Sequence, residues 1–406
     1  MRLSEISRFL NGELIGEDRE VKNFKSDSRQ CGADDLFFAL KGQNADGHDF
    51  VKEIYSKGST AVVSRRIDFS PYILVEDVKK SMIDFARSKI KGSLKIAITG
   101  SNGKTTTKEF LFHLLSKHGR VLKTEGNLNT DVGISLSILN GISNPDFCVM
   151  EMGAQMPFDI EYLSSTFNPD ISIITLAGSA HSAFIDVVKE KSSIAKHTKD
   201  FVIYDGDPRL ALEGKGVVYD QFVRLKGYDA LKTIVEINGS RLILDGIWGD
   251  GQIKDLNMAL TLLSRIGLTF SISDLENLEI PSSRMKVEKI GDYLLVDDTY
   301  NASPESFENT ARTCANLGKV VWIIAPMKEL KEDENLKNKF LSLYEELKPK
   351  HVFTFQNENF YPFGIPYNLD KFLNILEKND VILVKGSRFY HMEDILKQIR
   401  EALKAS

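Results

Sequence analysis

Seven short apolar segments, spaced along most of the chain, constrain the fold more than any other feature of this sequence. They are "KIAIT" (95–99), "FCVMEM" (147–152), "DISIITLAG" (170–178), "FVIYD" (201–205), "YLLVDD" (293–298), "VVWIIA" (320–325) and "DVILVKG" (380–386). Amphipathic stretches separate them. Continuous apolar strands that alternate with helices are typical of parallel sheets covered by helices on both faces. The sequence therefore predicts an α/β fold.

The length and two breaks in the pattern indicate how many domains the chain forms. At roughly 150 residues per domain, 406 residues correspond to about three domains. The segment "SKIKGSLK" (88–95) precedes one apolar strand, and "NLEIPSSRMK" (277–286) introduces a fresh strand pattern. We predict three domains, covering residues 1–90, 91–279 and 280–406.

Charge and cysteine usage exclude several classes of partner. The net charge of −5 gives no general electrostatic reason to bind nucleic acid or an anionic membrane. Cys31, Cys148 and Cys314 are far apart and lack metal-type spacing, which favours reduced thiols. The N-terminus has no uninterrupted apolar stretch of the signal-peptide kind. We therefore expect a cytoplasmic protein with no nucleic-acid partner and no membrane insertion.

The segment "ITGSNGKTTTKEF" (98–110) is similar to a phosphate-binding loop, although Ile98 stands where the common loop has its first glycine. It follows a predicted strand and precedes an apolar helical face, so backbone N–H groups would surround phosphate oxygens. Lys104 is expected to contact the terminal phosphates and Thr105 to bind Mg²⁺. An ordinary glycine turn is the alternative. The predicted nucleotide-binding residues of the loop are Gly100, Ser101, Asn102, Gly103, Lys104, Thr105 and Thr106.

Further motifs follow the loop in a fixed order and carry a family resemblance. The segments "EGNLNTDVG" (125–133), "MEMGAQMP" (150–157), "AGSAH" (177–181) and "LLVDDTYNASPES" (294–306) resemble the Mur ligases of peptidoglycan synthesis. Towards the two ends, "SDSRQCGADDLFFALKGQNADGHDF" (26–50) and "DVILVKGSR" (380–388) resemble the type that adds D-alanyl-D-alanine. The type that adds the third amino acid ranks second.

The resemblance implies a three-domain architecture and an activity. Residues 1–90 would bind the UDP substrate, 91–279 would form a central P-loop-type sheet domain that binds ATP, and 280–406 a Rossmann-like domain that binds the incoming dipeptide. The implied reaction joins D-alanyl-D-alanine to UDP-N-acetylmuramoyl-tripeptide through an acyl phosphate, with ATP, Mg²⁺ and a carbamylated lysine. A monomer is expected. Another Mur-type ligase and a nucleotide-binding homologue without ligase activity remain alternatives.

The resemblance also implies roles for individual residues. Glu151 and His181 would bind Mg²⁺ together with Thr105 and the carbamylated lysine, for which Lys191 is the first choice and Lys196 the second. Asn257 would read adenine, although the expected histidine four residues earlier is Ile253. Arg284 and Asp298 would contact ATP. The residues expected at the UDP-sugar and dipeptide ends are Ser28, Arg29, Gly47, His48, Asn127, Asn129, Lys385, Ser387 and Arg388.

Three departures from the family pattern concern substrate detail more than ATP use. Leu176 stands where an asparagine is usual, and Pro157-Phe158 replaces Pro-Gly. The segment "IIAPMKEL" (323–330) replaces a Gly-Asp-Met-type stretch, and the third domain is short.

Overall fold

The structure is a computed structural model, and it describes residues 1–42, 44–178, 186–281, 284–327, 330, 334–356 and 360–405. The chain divides into two compact units. The first consists of Met1–Ala97, Gly119–Met152 and Thr166–Asp170, and the second of Ile98–His118, Gly153–Ser165 and Ile171–Ser406. Among the described residues, no helix is both long and apolar enough to cross a membrane.

The first 90 residues form a five-stranded sheet in the order β1-β5-β4-β3-β2. Its strands are β1 (Glu13–Ile15), β2 (Asn23–Lys25), β3 (Asp35–Phe38), β4 (Thr60–Val63) and β5 (Tyr72–Leu74). The helices here are α1 (Leu3–Phe9), α2 (Val51–Ser56) and α3 (Val78–Lys89). Strands β2 to β5 pair in parallel, whereas β1 is antiparallel to β5. Two 3-10 turns, Ser28–Gln30 and Gly47–Phe50, carry residues that the sequence predicts to bind the UDP substrate.

A six-stranded sheet in the order β11-β10-β9-β6-β8-β7 follows in the chain. Its strands are β6 (Leu94–Thr99), β7 (Val121–Lys123), β8 (Phe147–Glu151), β9 (Ile171–Ile174), β10 (Phe201–Tyr204) and β11 (Gly216–Val218). The helices between them are α4 (Lys104–Leu115), α5 (Asp131–Asn140), α6 (Asp159–Phe167), α7 (Val187–Ser192) and α8 (Ile194–His197). The apolar face predicted for α4 is buried, since Phe110, Leu111, Leu114 and Leu115 are at most 1% exposed.

An antiparallel sheet that the sequence analysis does not predict comes next. It contains β12 (Val223–Asp229), β13 (Lys232–Ile237) and β14 (Ser240–Asp245) and is followed by α9 (Asp250–Arg265). Asn238 and Gly239 connect β13 to β14 with φ angles of 48° and 80°. An Asn-Gly pair between alternating apolar residues is a strong hairpin signal, because both positions of this turn require positive φ. That dipeptide was the available signal for this sheet.

The last sheet is six-stranded, in the order β15-β16-β20-β17-β18-β19. Its strands are β15 (Lys286–Ile290), β16 (Tyr293–Asp298), β17 (Val320–Ile324), β18 (His351–Thr354), β19 (Ile365–Pro366) and β20 (Val381–Lys385). Its helices are α10 (Pro304–Ala315), α11 (Glu334–Leu347), α12 (Leu369–Ile375) and α13 (Met392–Ala405). All pairs are parallel except β15 with β16. A separate apolar cluster packs on each face, as in a doubly wound fold.

The α/β prediction is confirmed, and each of the seven predicted apolar segments overlaps one strand of the two six-stranded sheets. Strand ends differ from the predicted segments by a few residues, most at β9 (Ile171–Ile174), which ends before the loop at 175–178. The domain boundaries at residues 90 and 279 stay a prediction. The strands of each sheet nevertheless fall within one of the three predicted ranges.

Candidate active site

The predicted phosphate loop lies between β6 and α4 in the second unit. Gly100 and Gly103 have φ angles of 149° and 85°, in the region that favours glycine. A Cβ atom on Gly100 would collide with the Thr175 side chain, and one on Gly103 with the carboxylate of Asp255. The loop therefore requires both glycines, for backbone conformation and for space.

The loop offers polar groups suited to an anion. Lys104 donates from Nζ to the Gly100 carbonyl at 2.7 Å, so its ammonium group lies over the turn. Ser101 donates its backbone N–H to the Leu176 carbonyl at 2.7 Å, which shows that Leu176 supports the loop through its main chain. The buried Ser101 Oγ has no hydrogen-bond partner among the described residues. An unpaired buried hydroxyl beside a lysine and a helix N-terminus fits a phosphate-binding site.

Lys191 is the most unusual titratable group near this loop. It lies on α7, its side chain is fully buried, and the residue is 2% exposed. Burial, and next the positive charge of Lys104, lower the pKa of Lys191 from 10.5 to about 7, while Glu190 and Asp159 oppose this effect. Glu190 accepts N–H bonds from Phe158 and Ile160 at 2.8 and 2.7 Å, which joins α7 to the start of α6. Lys191 is therefore held in place with a substantial neutral fraction near pH 7.

Lys196, the second choice for the carbamylated lysine, lies in a different environment. Its side chain is 48% exposed and its Nζ atom is 2.8 Å from Glu161 Oε2. The surroundings of the two lysines thus favour Lys191.

Asp255 is a buried residue of the site that the sequence analysis missed. It lies on α9, is 5% exposed, and its carboxylate adjoins Gly103 of the loop. Burial raises the pKa of Asp255 from 3.8 to about 7, although Lys254 and Arg284 oppose the shift. No motif identifies it, because its proximity to the loop depends on how α9 packs against α4.

We expect the Asp255→Asn substitution to stabilise the protein at pH 8 and to have little effect at pH 4. Between about pH 4 and 7 the folded protein keeps a proton that the unfolded chain releases, so stability falls as the pH rises through this window. Above pH 7 the full cost of burying the charged Asp255 carboxylate lowers the free energy of unfolding, by an amount of the order of 2–4 kcal/mol. Thermal unfolding midpoints of both proteins at pH 4, 6 and 8 measure this difference. A pH-independent difference would contradict the assignment.

Two residues, Arg284 just before β15 and Ser303 after β16, contact the loop. Arg284 donates from Nη2 to the Thr105 hydroxyl at 3.0 Å, and Asn102 donates from Nδ2 to Ser303 Oγ at 2.8 Å. The guanidinium of Arg284 also lies over the Tyr300 ring, 4.3 Å from its centroid. The segment "DDTYNASP" (297–304) thus adjoins the phosphate loop through Ser303, and the ATP contacts of Arg284 and Asp298 stay predictions.

Asp298 and Lys385, which the sequence assigns to ATP and to the dipeptide, form an ion pair with each other. Lys385 Nζ contacts Asp298 Oδ2, and both residues are buried. Asp298 also accepts bonds from the Thr310 hydroxyl at 2.6 Å and the Met285 N–H at 3.1 Å. Ser387 is buried, whereas Arg388 is exposed. Their roles in binding ATP and dipeptide stay predictions, and among the three predicted dipeptide contacts Arg388 is the accessible cation.

The Lys385→Met substitution should destabilise the protein by about 3–5 kcal/mol, because it leaves the buried Asp298 carboxylate without its counter-charge. Adding Asp298→Asn should recover much of that loss. Arg388→Met is the matched control, since removal of an exposed charge costs at most about 0.5 kcal/mol. Urea unfolding, followed by tryptophan fluorescence, measures all four proteins. Equal effects at positions 385 and 388 would refute the structural role of Lys385.

Asn257 lines a cavity of about 370 Å³, whose wall also includes Tyr219, Arg224 and Lys254. Its own amide is engaged, because Oδ1 accepts the Val223 N–H at 2.8 Å and Nδ2 donates to the Val223 carbonyl at 2.9 Å. The residue is 2% exposed. Asn257 therefore fastens α9 to β12, and its adenine contact stays a prediction.

The first unit contains Glu151, His48 and the other residues predicted to contact the UDP-sugar end. Glu151 ends β8, is 2% exposed, and accepts a bond from Asn129 Nδ2 at 3.2 Å, whereas Asn127 is exposed. His48 is held at 2.6 Å from Asp46 through Nδ1 and accepts the Ser64 N–H through Nε2 at 3.0 Å.

The turns of the first unit carry the other residues predicted for the UDP end. The Arg29 side chain is 85% exposed and pairs with Asp27, so it is accessible to a phosphate. Ser28 is 7% exposed, and a Cβ atom on Gly47 would collide with the backbone of Ala39. His181 lies outside the described residues. Within the part of the chain that the structure describes, no group of three or more His, Cys, Asp or Glu residues forms a metal site.

Comparison with known proteins identifies the class. Residues 98–234 match the Mur ligase middle domain, and residues 20–90 match the Mur ligase family catalytic domain. A relative from Borreliella burgdorferi is 30% identical over 96% of this chain and 96% of its own length, and one from Bacillus subtilis is 26% identical over 98% of each. This chain belongs to the Mur ligase family.

Within that family, the similarity is to one particular enzyme. Both of these relatives are named UDP-N-acetylmuramoyl-tripeptide--D-alanyl-D-alanine ligase. A solved structure of the MurF ligase from Thermotoga maritima in complex with ADP has a TM-score of 0.82 and 30% identity, and covers 95% of this chain and 98% of that one. The resemblance predicted from the motifs is confirmed.

Proposed function

We propose that this chain is an ATP-dependent ligase that joins D-alanyl-D-alanine to UDP-N-acetylmuramoyl-tripeptide. The observation that carries the proposal is the buried Lys191, whose charge interacts with Lys104 of a phosphate loop. The full-length similarity to ligases of this name supports the same assignment.

The reaction proceeds in two steps, and neither needs a protein nucleophile. A carboxylate oxygen of the tripeptide attacks the γ-phosphorus of ATP, the bond to the bridging oxygen breaks, and ADP leaves. The amine of D-alanyl-D-alanine then attacks the carbonyl carbon of the acyl phosphate. The new C–N bond forms as phosphate departs, and the amine loses a proton. Catalysis of phosphoryl transfer depends on positioning and on cations that offset moving charge.

The loop residues have roles that follow from their positions. Lys104 offsets charge on the transferred phosphoryl group, and the N–H groups at the start of α4 and the Ser101 hydroxyl donate to phosphate oxygens. Arg284, already at the Thr105 hydroxyl, adds a second cation to this region. Asn257 and its cavity are proposed for the base of the nucleotide.

As a neutral amine, Lys191 Nζ attacks the carbon of CO₂. The N–C bond forms, one C=O π bond becomes the C–O⁻ of the carbamate, and the nitrogen loses a proton to solvent. At an ordinary pKa of 10.5, only about one lysine in 3,000 is neutral at pH 7, whereas a pKa of about 7 leaves half of the side chains neutral. The carbamate turns the repulsion with Lys104 into attraction. Mg²⁺, when bound, would offset phosphate charge, and Thr105 and the carbamate of Lys191 are its proposed ligands here. Glu151 and His181 stay predicted ligands from their motifs.

The amine substrate requires a cation for its carboxylate. Arg388 is proposed for this contact, because its guanidinium is exposed at the carboxyl end of β20 and can bind a carboxylate through two hydrogen bonds. Ser387 and Lys385 would support it from the same turn. Ser28, Arg29, Gly47, His48, Asn127 and Asn129 are proposed for the UDP-sugar end.

The test is a coupled assay with purified protein, UDP-N-acetylmuramoyl-tripeptide, D-alanyl-D-alanine, ATP and Mg²⁺. We expect one phosphate and one pentapeptide product per ATP, and no phosphate release when either acceptor or dipeptide is omitted. Absence of dipeptide-dependent phosphate under conditions in which a known ligase works would overturn the proposal.

A panel of other amines and acceptors separates the alternatives. Turnover with a single amino acid in place of the dipeptide would indicate another Mur-type ligase. Binding of ATP without turnover on any combination would indicate a nucleotide-binding homologue that has lost ligase activity.

A further inference from the structure

Tyr300 is the one aromatic residue within the "DDTYNASP" segment, and two guanidinium groups lie over its ring. Arg284 Cζ is 4.3 Å from the ring centroid, and Arg388 Cζ is 5.5 Å from it. Both distances are within the range in which a cation is attracted to an aromatic face. A single ring thus contacts two arginines that come from segments about 100 residues apart in sequence.

The two arginines have different neighbours. Arg284 donates to the Thr105 hydroxyl at 3.0 Å, so it contacts the phosphate loop directly. Arg388 opens the 3-10 turn Arg388–Tyr390 after β20 and is exposed, so it is available to a substrate carboxylate. The Tyr300 ring therefore contacts both Arg284, which lies at the phosphate loop, and Arg388, which is proposed to bind the dipeptide.

The backbone on both sides of Tyr300 is fixed, which gives the ring a defined position. Thr299 donates its N–H and its hydroxyl to Asp297 Oδ1 at 3.2 and 2.7 Å. On the other side, the Asn301 carbonyl accepts a bond from Lys385 at 3.3 Å, and Ser303 caps α10. These bonds form within the protein and need no substrate. The backbone that carries the ring therefore has a defined position, to which the longer and more flexible arginine side chains adapt.

Two cations near one another repel, and an aromatic face reduces the cost of holding both. We propose that Tyr300 is a positioning residue that holds Arg284 at the phosphate loop and Arg388 at the amine site, so that binding of nucleotide and of dipeptide is coupled through its ring. The part that concerns Arg388 and the dipeptide rests on the proposed function, whereas the part that concerns nucleotide binding depends only on the contacts of Arg284.

The test compares Tyr300→Leu, which removes the ring, with Tyr300→Phe, which keeps it. We expect Tyr300→Leu to raise KM for D-alanyl-D-alanine about 10-fold and to weaken binding of a non-hydrolysable ATP analogue about 3- to 10-fold. Tyr300→Phe should restore both values to within about 2-fold, because the face of the ring and not the hydroxyl provides the attraction. Phe270→Leu, which removes a ring that contacts Phe222 elsewhere in the second unit, is the matched control.

A double-mutant cycle tests the coupling itself. Arg388→Met removes a cation that repels Arg284, so it should change binding of the ATP analogue less than about 2-fold when Tyr300 is present and should strengthen it a few-fold in the Tyr300→Leu background, where no ring offsets the repulsion. Because Arg388 is exposed, this variant remains informative if Tyr300→Leu does not fold. Unchanged KM and analogue binding in Tyr300→Leu, or equal losses in Tyr300→Phe, would overturn the proposal.

Failure of this inference and failure of the proposed function give different results. Binding of the ATP analogue is measured without turnover, so its response to Tyr300→Leu tests the Arg284 contact even if no amine is ligated. Normal dipeptide ligation with no response to Tyr300→Leu would refute the inference and leave the proposed function intact.

Discussion

The Lys104→Met substitution is expected to abolish ATP-dependent ligation, with a loss of turnover of about 10³-fold or more. Lys104 begins α4, and its ammonium group lies over the turn formed by Gly100 and Ser101. Loss of one preorganised charge that acts on the transferred group costs about 10²- to 10³-fold in rate, and this lysine also contributes to nucleotide binding. Phosphate release and analogue binding should be measured together.

Lys117→Met provides the control for Lys104→Met. Lys117 is an exposed lysine that follows the same helix, so its loss should change turnover less than 2-fold. The thermal unfolding midpoint of Lys104→Met should remain close to that of the unaltered protein, since Lys104 is only partly buried. Retention of normal turnover by Lys104→Met would refute the phosphate-binding role of the loop.

The Lys191→Met substitution should combine a loss of turnover of about 10³-fold with a gain in stability. The loss follows from the proposed carbamate, and prolonged removal of CO₂ from the unaltered protein should lower the rate reversibly, with recovery on addition of bicarbonate. Lys196→Met is the matched control, because Lys196 lies on the adjacent helix and is exposed. Full activity of Lys191→Met, or loss of activity in Lys196→Met alone, would contradict the assignment.

The gain in stability has a defined pH dependence. With a folded pKa of about 7 and an unfolded pKa of 10.5, the folded protein binds fewer protons than the unfolded chain in this window. The stability of the unaltered protein therefore rises with pH from about 7 to 10.5, and the penalty for burying Lys191 is complete below pH 7. We expect Lys191→Met to unfold at a higher temperature at pH 7, by an amount equivalent to a few kcal/mol, and the difference to shrink near pH 10. Thermal unfolding in CO₂-free buffer measures it.

Local patterns were sufficient to predict the loop and seven strands of the two six-stranded sheets. Buried parallel strands such as β17 (Val320–Ile324) are continuous apolar runs, and the glycines at 100 and 103 identify a turn that only glycine can form. The choice of Lys191 over Lys196 came from the resemblance of "EKSSI" (190–194) to the family's lysine motif. It stays a prediction, and the burial of Lys191 supports it.

The parts that sequence could not predict are contacts between distant segments. Asp255 adjoins Gly103 although about 150 residues separate them in sequence. The local hydrophobic pattern of a helix does not indicate which other helix it packs against. The pairing of Asp298 with Lys385 is of the same kind, because each motif read alone presents a polar residue available to a ligand. Sequence identifies which residue types are present, whereas the competition among them for partners is decided by the fold.

The Asp298–Lys385 pair has a mechanical consequence. Strands β16 and β20 are adjacent and parallel, and the pair joins them where both end, while Lys385 also bonds to the Asn301 carbonyl. The segment that carries Tyr300 and Ser303 and the turn that carries Arg388 are thereby joined to each other. Any movement that opens the site would displace these residues together, and the backbone rotation would occur at other residues.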